Sequence, residues 1–176
     1  MSEEETSSAQ SGEQEMDEET YQFAQQVFQL ARAGDREKLE DMLRAGLPPN
    51  LRDGQGNSLL MLASYNRNYE TTRLLLEYGG DPEIINDRGQ LPLAGAAFNG
   101  DVEIGRLLLE RGADVDGHGD DGKTALMFAA MFNRVDFIDL LLERGADPAS
   151  MSSDGKTAAD FAQAMGADAA FKRLNN

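Results

Sequence analysis

Gly122–Asp147, GKTALMFAAMFNRVDFIDLLLERGAD, decides the fold, because most of its pattern recurs at a fixed spacing before it and part of it recurs after it. Glycines fall at Gly56, Gly89, Gly122 and Gly155, and again at Gly46, Gly79, Gly112 and Gly145; both series step by 33 residues. The leucine triplets Leu74-Leu75-Leu76, Leu107-Leu108-Leu109 and Leu140-Leu141-Leu142 keep the same step, as do Ala63, Ala96, Ala129 and Ala162. Independent series that share one period identify a repeat array, in which each unit buries its apolar face only against its neighbours.

Each period reads as a glycine-containing turn followed by two short helical patterns, and in this the chain strongly resembles the ankyrin repeat family. The family's turn and first helix, G-x-T-P-L-H-x-A, is matched by Gly56-Asn57-Ser58-Leu59-Leu60, Gly89-Gln90-Leu91-Pro92-Leu93 and Gly122-Lys123-Thr124-Ala125-Leu126. Its L-L-x-x-G-A-D ending is matched by Leu108–Asp114 and Leu141–Asp147. The Thr-Pro pair is never complete, and Met61, Ala94 and Met127 stand where the family has histidine. The resemblance runs from about Gln22 to Leu174 and implies an all-α solenoid of about five helix-turn-helix units with hairpin-like turns projecting as fingers.

Within that frame the ankyrin repeat domain is residues 20–176, with caps near 20–50 and 152–174 and full repeats at 53–81, 86–114 and 119–147. Ala24, Val27, Phe28 and Ala31 occupy one helix face. Gly34 and Asp35 end that helix and cap the next, which runs to about Ala45. Asp41 replaces the first leucine of the triplet in this unit, and Phe171 and Leu174 replace it in the last. Polar outer faces suit terminal repeats, on which nothing stacks. Gly95 and Gly105 lie inside both helices of the third unit, where each costs about 1 kcal/mol relative to Ala. Either they admit a bulky neighbour such as Phe128, or this repeat is the weak joint of the array.

Residues 1–19 carry eight carboxylates, no Lys or Arg and almost nothing apolar, so a disordered acidic tail is expected there. The whole chain has net charge −16, from 32 acidic and 16 basic residues, which argues against a nucleic-acid surface. No run approaches a membrane-spanning length and the first residues are acidic, so no membrane association and cytoplasmic residence are expected. Without cysteine there is no disulfide or thiolate chemistry.

Two local motifs fail on their surroundings. Gly117–Thr124 matches the phosphate-loop pattern G-x-x-x-x-G-K-[ST], but no apolar strand feeds it, and Asp116, Asp120 and Asp121 would repel phosphate. Read as a calcium loop, the same finger has Asp121 where a glycine is required and Met127 where a glutamate is required. One histidine and no cysteine leave few ways to build a nucleophile and base. Neither catalysis nor a cofactor is expected, and the alternative of a ligand or metal site at the His118 finger is weak.

A surface remains. The resemblance implies a partner-facing concave side made from the fingertips and the exposed ends of the first helices. Carried over by position, the helix-end residues are Tyr65, Asn66, Phe98, Asn99, Met131 and Phe132, and the tip residues are Arg52, Ile85, His118 and Met151. Aromatic and Met clusters anchor interfaces, although rings at helical spacing also serve as core. With Asp87, Asp120 and Asp121 as an acidic rim, the expected function is non-enzymatic protein binding by a monomer. Its expected partner is a protein with an apolar patch edged by basic residues. An acidic mimic that occupies a basic partner's groove is the alternative, which steep salt dependence would mark.

Overall fold

The computed structural model describes the backbone of residues 9–176 and the side chains of residues 18–176. Ten helices follow one another among these residues: α1 (Ala9–Ala33), α2 (Arg36–Arg44), α3 (Leu59–Tyr65), α4 (Tyr69–Glu77), α5 (Pro92–Asn99), α6 (Val102–Glu110), α7 (Ala125–Met131), α8 (Val135–Glu143), α9 (Ala158–Ala164) and α10 (Asp168–Leu174). They pair as five units. The first helices α1, α3, α5, α7 and α9 pack in sequence as one layer, and α2, α4, α6, α8 and α10 as a second.

The periodic residues hold these layers together. Ala63, Ala96, Ala129 and Ala162 are all fully buried, their small side chains letting the first helices approach closely. Leu75, Leu108 and Leu141, the middle leucines of the triplets, are also fully buried, and each such burial is worth about 1.5–3 kcal/mol. Val27, Phe28 and Ala31 of α1 continue the core into the first unit, with Ala24 packed partly against it.

Helix ends follow local chemistry. Ser58, Thr124 and Thr157 cap α3, α7 and α9 by accepting from the amides of Met61 (3.1 Å), Met127 (3.4 Å) and Asp160 (3.3 Å). The third unit has Leu91 at this position, which makes no such bond, and Pro92 opens α5 instead. The corner between the two helices of a unit is left-handed in every repeat. Gly34, Gly100 and Gly166 fill it without strain in three units, whereas Arg67 (φ 63°) and Asn133 (φ 57°) hold it in the other two.

Neighbouring units are clipped along the loops. Asn50, Glu83 and Asp116 each accept a bond from a backbone amide 31 residues later, on Asp81 (2.8 Å), Asp114 (2.9 Å) and Asp147 (3.1 Å). Among the described residues the turns form a single isolated bridge, Arg52 to Ser58, and no continuous strand.

Against roughly nine to ten residues expected for both helices of a unit, the first helices of the full repeats run only seven or eight, because the cap and the left-handed corner bracket them closely. Of the segment expected to be a disordered tail, residues 1–8 lie outside the described residues, but from Ala9 the backbone is already helical. Glu, Gln, Ala and Met are strong helix formers, so a helix anchored by Val27 and Phe28 extends back through them.

The glycines of repeat three are seats for side chains. A Cβ on Gly105 would lie 2.5 Å from Cε2 and Cζ of Phe137, and one on Gly95 would lie 3.3 Å from Cδ2 of Tyr65 and 3.4 Å from Sδ of Met61. Close packing is therefore the reason for Gly105, with Phe137 as the neighbour rather than Phe128, whereas at Gly95 Tyr65 and Met61 would need to give by only a few tenths of an ångström.

Candidate functional site

The ten residues expected on the partner-facing side divide into three groups. Tyr65, Phe98 and Phe132, one from each full repeat, form a ladder of rings. Tyr65 stacks on Phe98 with centroids 5.8 Å apart and planes inclined by 25°. Phe98 meets Phe132 edge to face at 4.4 Å and 65°. Such pairs add about 0.5–1.5 kcal/mol each beyond area burial. Tyr65 is 46% exposed, while Phe98 and Phe132 are half-buried. The ladder thus both ties repeats together and presents aromatic surface, and its open end is Tyr65.

A second group has structural employment that spacing alone does not show. Asn66 donates to the Leu62 carbonyl (2.7 Å), closing its own helix, and Asn99 donates to the Tyr65 carbonyl (2.6 Å), clipping repeat three to repeat two. Arg52 donates to Gly56 O (3.0 Å) and Ile85 O (2.7 Å), locking two fingers together. Met131 packs partly on the core. Arg52, Asn66 and Asn99 thus also serve the framework, because backbone carbonyls at helix ends and turns need donors, and Met131 serves it by packing.

Ile85 and Met151 form the third group with His118; at 38% and 66% they are exposed apolar tips. His118 sits on its finger with Nδ1 2.7 Å from the Gly119 carbonyl oxygen, a geometry in which the ring nitrogen donates. Among the described residues no three His, Asp or Glu side chains converge as a metal set. The acidic loop is spoken for in part, since the Asp121 carboxylate accepts from the amide and Nζ of Lys123.

Beside the ladder lies a groove of about 510 Å³ that the sequence reading missed. Its walls come from α1, α3, α5 and the tips of repeats two and three. Met61, Tyr65 and Phe98 supply the apolar side, and Arg32, Arg88 and several carboxamides supply the polar side. Its polar wall is a continuous network. Arg32 Nη2 donates to Asp53 Oδ2 (2.7 Å), Asn57 Nδ2 donates to Asp53 (3.2 Å), Asn86 Nδ2 donates to Asn57 Oδ1 (2.9 Å), and Asn86 Oδ1 accepts from the amides of Arg88 (3.0 Å) and Gln90 (2.9 Å).

Burial pushes the Asp53 carboxyl up, but donors from Gln55 and Asn57, with the Arg32 charge, outweigh it and hold its pKa below the ordinary carboxylate value. Its side chain is only 6% exposed, so it serves as the ionised keystone of this network. Of the acidic rim expected from the sequence, Asp87 and Asp120, at the tips of repeats three and four, are exposed and Asp121 is half-buried. One signal for the groove was present in the sequence: the turn position occupied by Gln55, Asp121 and Asp154 holds Arg88 in repeat three.

A family model for ankyrin repeats in three copies matches residues 27–118, and a single ankyrin repeat matches residues 121–153. The chain belongs to the ankyrin repeat family. Ankyrin repeats are in general protein–protein interaction modules, and the family is generally a non-enzymatic scaffold. Among curated proteins the chain is similar to the Putative ankyrin repeat protein PA3287 of Pseudomonas aeruginosa. The two are 55% identical over 60 residues, which is 34% of this chain and 35% of that protein's length. The match thus spans about a third of the relative. In this ankyrin repeat protein no described helix is long and apolar enough to cross a membrane.

Proposed function

We propose that the chain is a non-enzymatic binding module that recognises a protein partner, as a monomer, through the face made by its first helices and fingers. The observation that carries this reading is the aromatic ladder from Tyr65 to Phe132, continuous with a preformed groove. A surface held by inter-repeat clips loses little freedom on binding, so contact energy is not spent on ordering it. Ile85 and Met151 extend apolar contact along the finger line.

The opposite face offers less. Arg111 lies 3.9 Å from Glu77 and Arg144 lies 3.4 Å from Glu110 in exposed pairs, each worth about 0–1 kcal/mol. Basic residues edging the partner would meet Asp87 and Asp120 at the tips of repeats three and four. Cytoplasmic residence belongs to the same reading and is checked by cell fractionation.

The test is affinity capture from a lysate of the source cells. Wild type is compared with a Tyr65→Ser, Ile85→Ser variant and with an Arg111→Glu, Arg144→Glu variant of the opposite face, all with matched thermal melts. A partner kept by wild type and the second variant but lost by the first supports the reading. Loss by the opposite-face variant alone refutes it.

A further inference from the structure

In a chain of net charge −16, the groove beside Tyr65 is a local exception. The side chains that line it include two guanidiniums, Arg32 and Arg88, and the one carboxylate of the network behind them, Asp53, is 6% exposed and already taken up by Arg32 and Asn57. Arg88 forms no ion pair among the described residues. Arg32 commits Nη2 to Asp53 but remains 33% exposed, and a guanidinium carries five N–H donors in a planar fork. The carboxamide of Gln90 accepts from Asn86 at 3.4 Å, and its own NH2 donates to nothing among the described residues. The polar wall thus offers the Arg88 guanidinium, the open edge of Arg32 and the Gln90 amide as donors, facing the apolar wall of Met61, Tyr65 and Phe98.

We propose that this groove receives an acidic peptide segment of the partner protein. A carboxylate of that segment pairs with Arg88 and the open edge of Arg32, and a neighbouring aromatic side chain packs on Tyr65. This rests on the inner-face reading above and gives it a partner chemistry, opposite in sign to the basic-edged patch expected from composition. A peptide fits better than a nucleic acid because, of the two guanidiniums, Arg88 has no ion pair among the described residues and can neutralise one carboxylate, whereas a polyphosphate backbone would meet the surrounding negative field. Screening makes the local charges decisive, since the field of distant carboxylates decays over about 8 Å at physiological ionic strength. Arg–carboxylate pairing also has a planar, two-point geometry that Lys lacks.

The experiment is fluorescence polarisation with two pools of amidated dodecapeptides in a Gly-Ser background, one mixing Asp and Glu with Phe and Tyr, the other Lys and Arg with Phe and Tyr. A neutral aromatic peptide with a free C-terminus separates chain-end from side-chain carboxylates. The acidic pool or the free-ended peptide should bind wild type, with Kd rising about tenfold or more in Arg88→Glu. The same loss should follow Tyr65→Ser and be absent in Arg111→Glu. Equal affinity of wild type and Arg88→Glu for the acidic pool overturns the proposal, as does tighter binding of the basic pool. Binding of the basic pool that is lost in Tyr65→Ser but kept in Arg88→Glu overturns only the acidic assignment and leaves the inner face standing. Binding of single-stranded oligothymidine that is lost in Arg88→Glu would assign the groove to nucleic acid instead.

Discussion

Gly105→Ala should destabilise the protein, although the same change in an exposed helix would stabilise it. Removing glycine from the interior of α6 gains about 1 kcal/mol of helix propensity. Against that, the new methyl would sit 2.5 Å from two ring carbons of Phe137 and 3.2 Å from Leu140 Cδ2, where carbon atoms prefer about 3.5–4.0 Å. Phe137 is fully buried, so its ring has nowhere to retreat, and the overpacking cost belongs near the upper end of the usual range, about 3 kcal/mol. The difference is about 2 kcal/mol, or a fall in melting temperature of roughly 4–8 °C for a chain of this size. Circular dichroism melts of wild type and variant measure it. A double mutant with Phe137→Leu supplies the control: trimming the ring should make the two changes cost less together than their sum, by about 1–2 kcal/mol. Gly95→Ala should be close to neutral, because half-exposed Tyr65 can yield by a few tenths of an ångström. An unchanged or raised melting temperature for Gly105→Ala would refute the packing argument and make repeat three the weak joint of the array.

Asp53→Asn should cost about 1–3 kcal/mol at neutral pH, because it removes the ion pair with Arg32 and weakens a buried network. The folded-state pKa of Asp53 is depressed, so its stabilisation is complete above the unfolded value of about 3.9 and is lost as pH falls through the folded one. The gap in melting temperature between wild type and variant should therefore close below about pH 4, and a gap independent of pH would contradict the assignment. Arg67→Gly should raise the melting temperature by a few degrees, since it relieves a left-handed backbone worth about 1–2 kcal/mol. The Arg67–Asp101 pair at 3.4 Å, with the Arg67 side chain exposed and Asp101 largely covered, offsets about 1 kcal/mol or less of that. A lower melting temperature would show that the side chain matters more than the backbone.

The period made the architecture readable. Glycines, leucines and alanines recurring at 33 residues fix where helices end, where they touch and how many there are, because each of these residue types answers a requirement repeated in every unit. The site was less readable. Asn99 and Arg52 look like free polar contacts by position, yet each gives a donor to a carbonyl of a neighbouring unit, whose location depends on how adjacent units are offset. The groove joins Arg32 of the first unit to Arg88 of the third, a pairing outside any single repeat and hence outside a comparison made repeat by repeat.

The clips at a 31-residue separation have a kinetic consequence. Each links a unit only to the next, so contact order stays low, and the entropy of closing every clip is nearly the same small quantity. Ordering can then begin at any adjacent pair of units and spread outward. The helices of repeats two and four carry no glycine, so both flanks of repeat three can form without the cost of glycine in a helix. Repeat three, with a glycine inside each helix, gains its order when the Phe137 ring arrives over Gly105. Repeat three is thus seated from both sides, by Tyr65 of repeat two over Gly95 and by Phe137 of repeat four over Gly105.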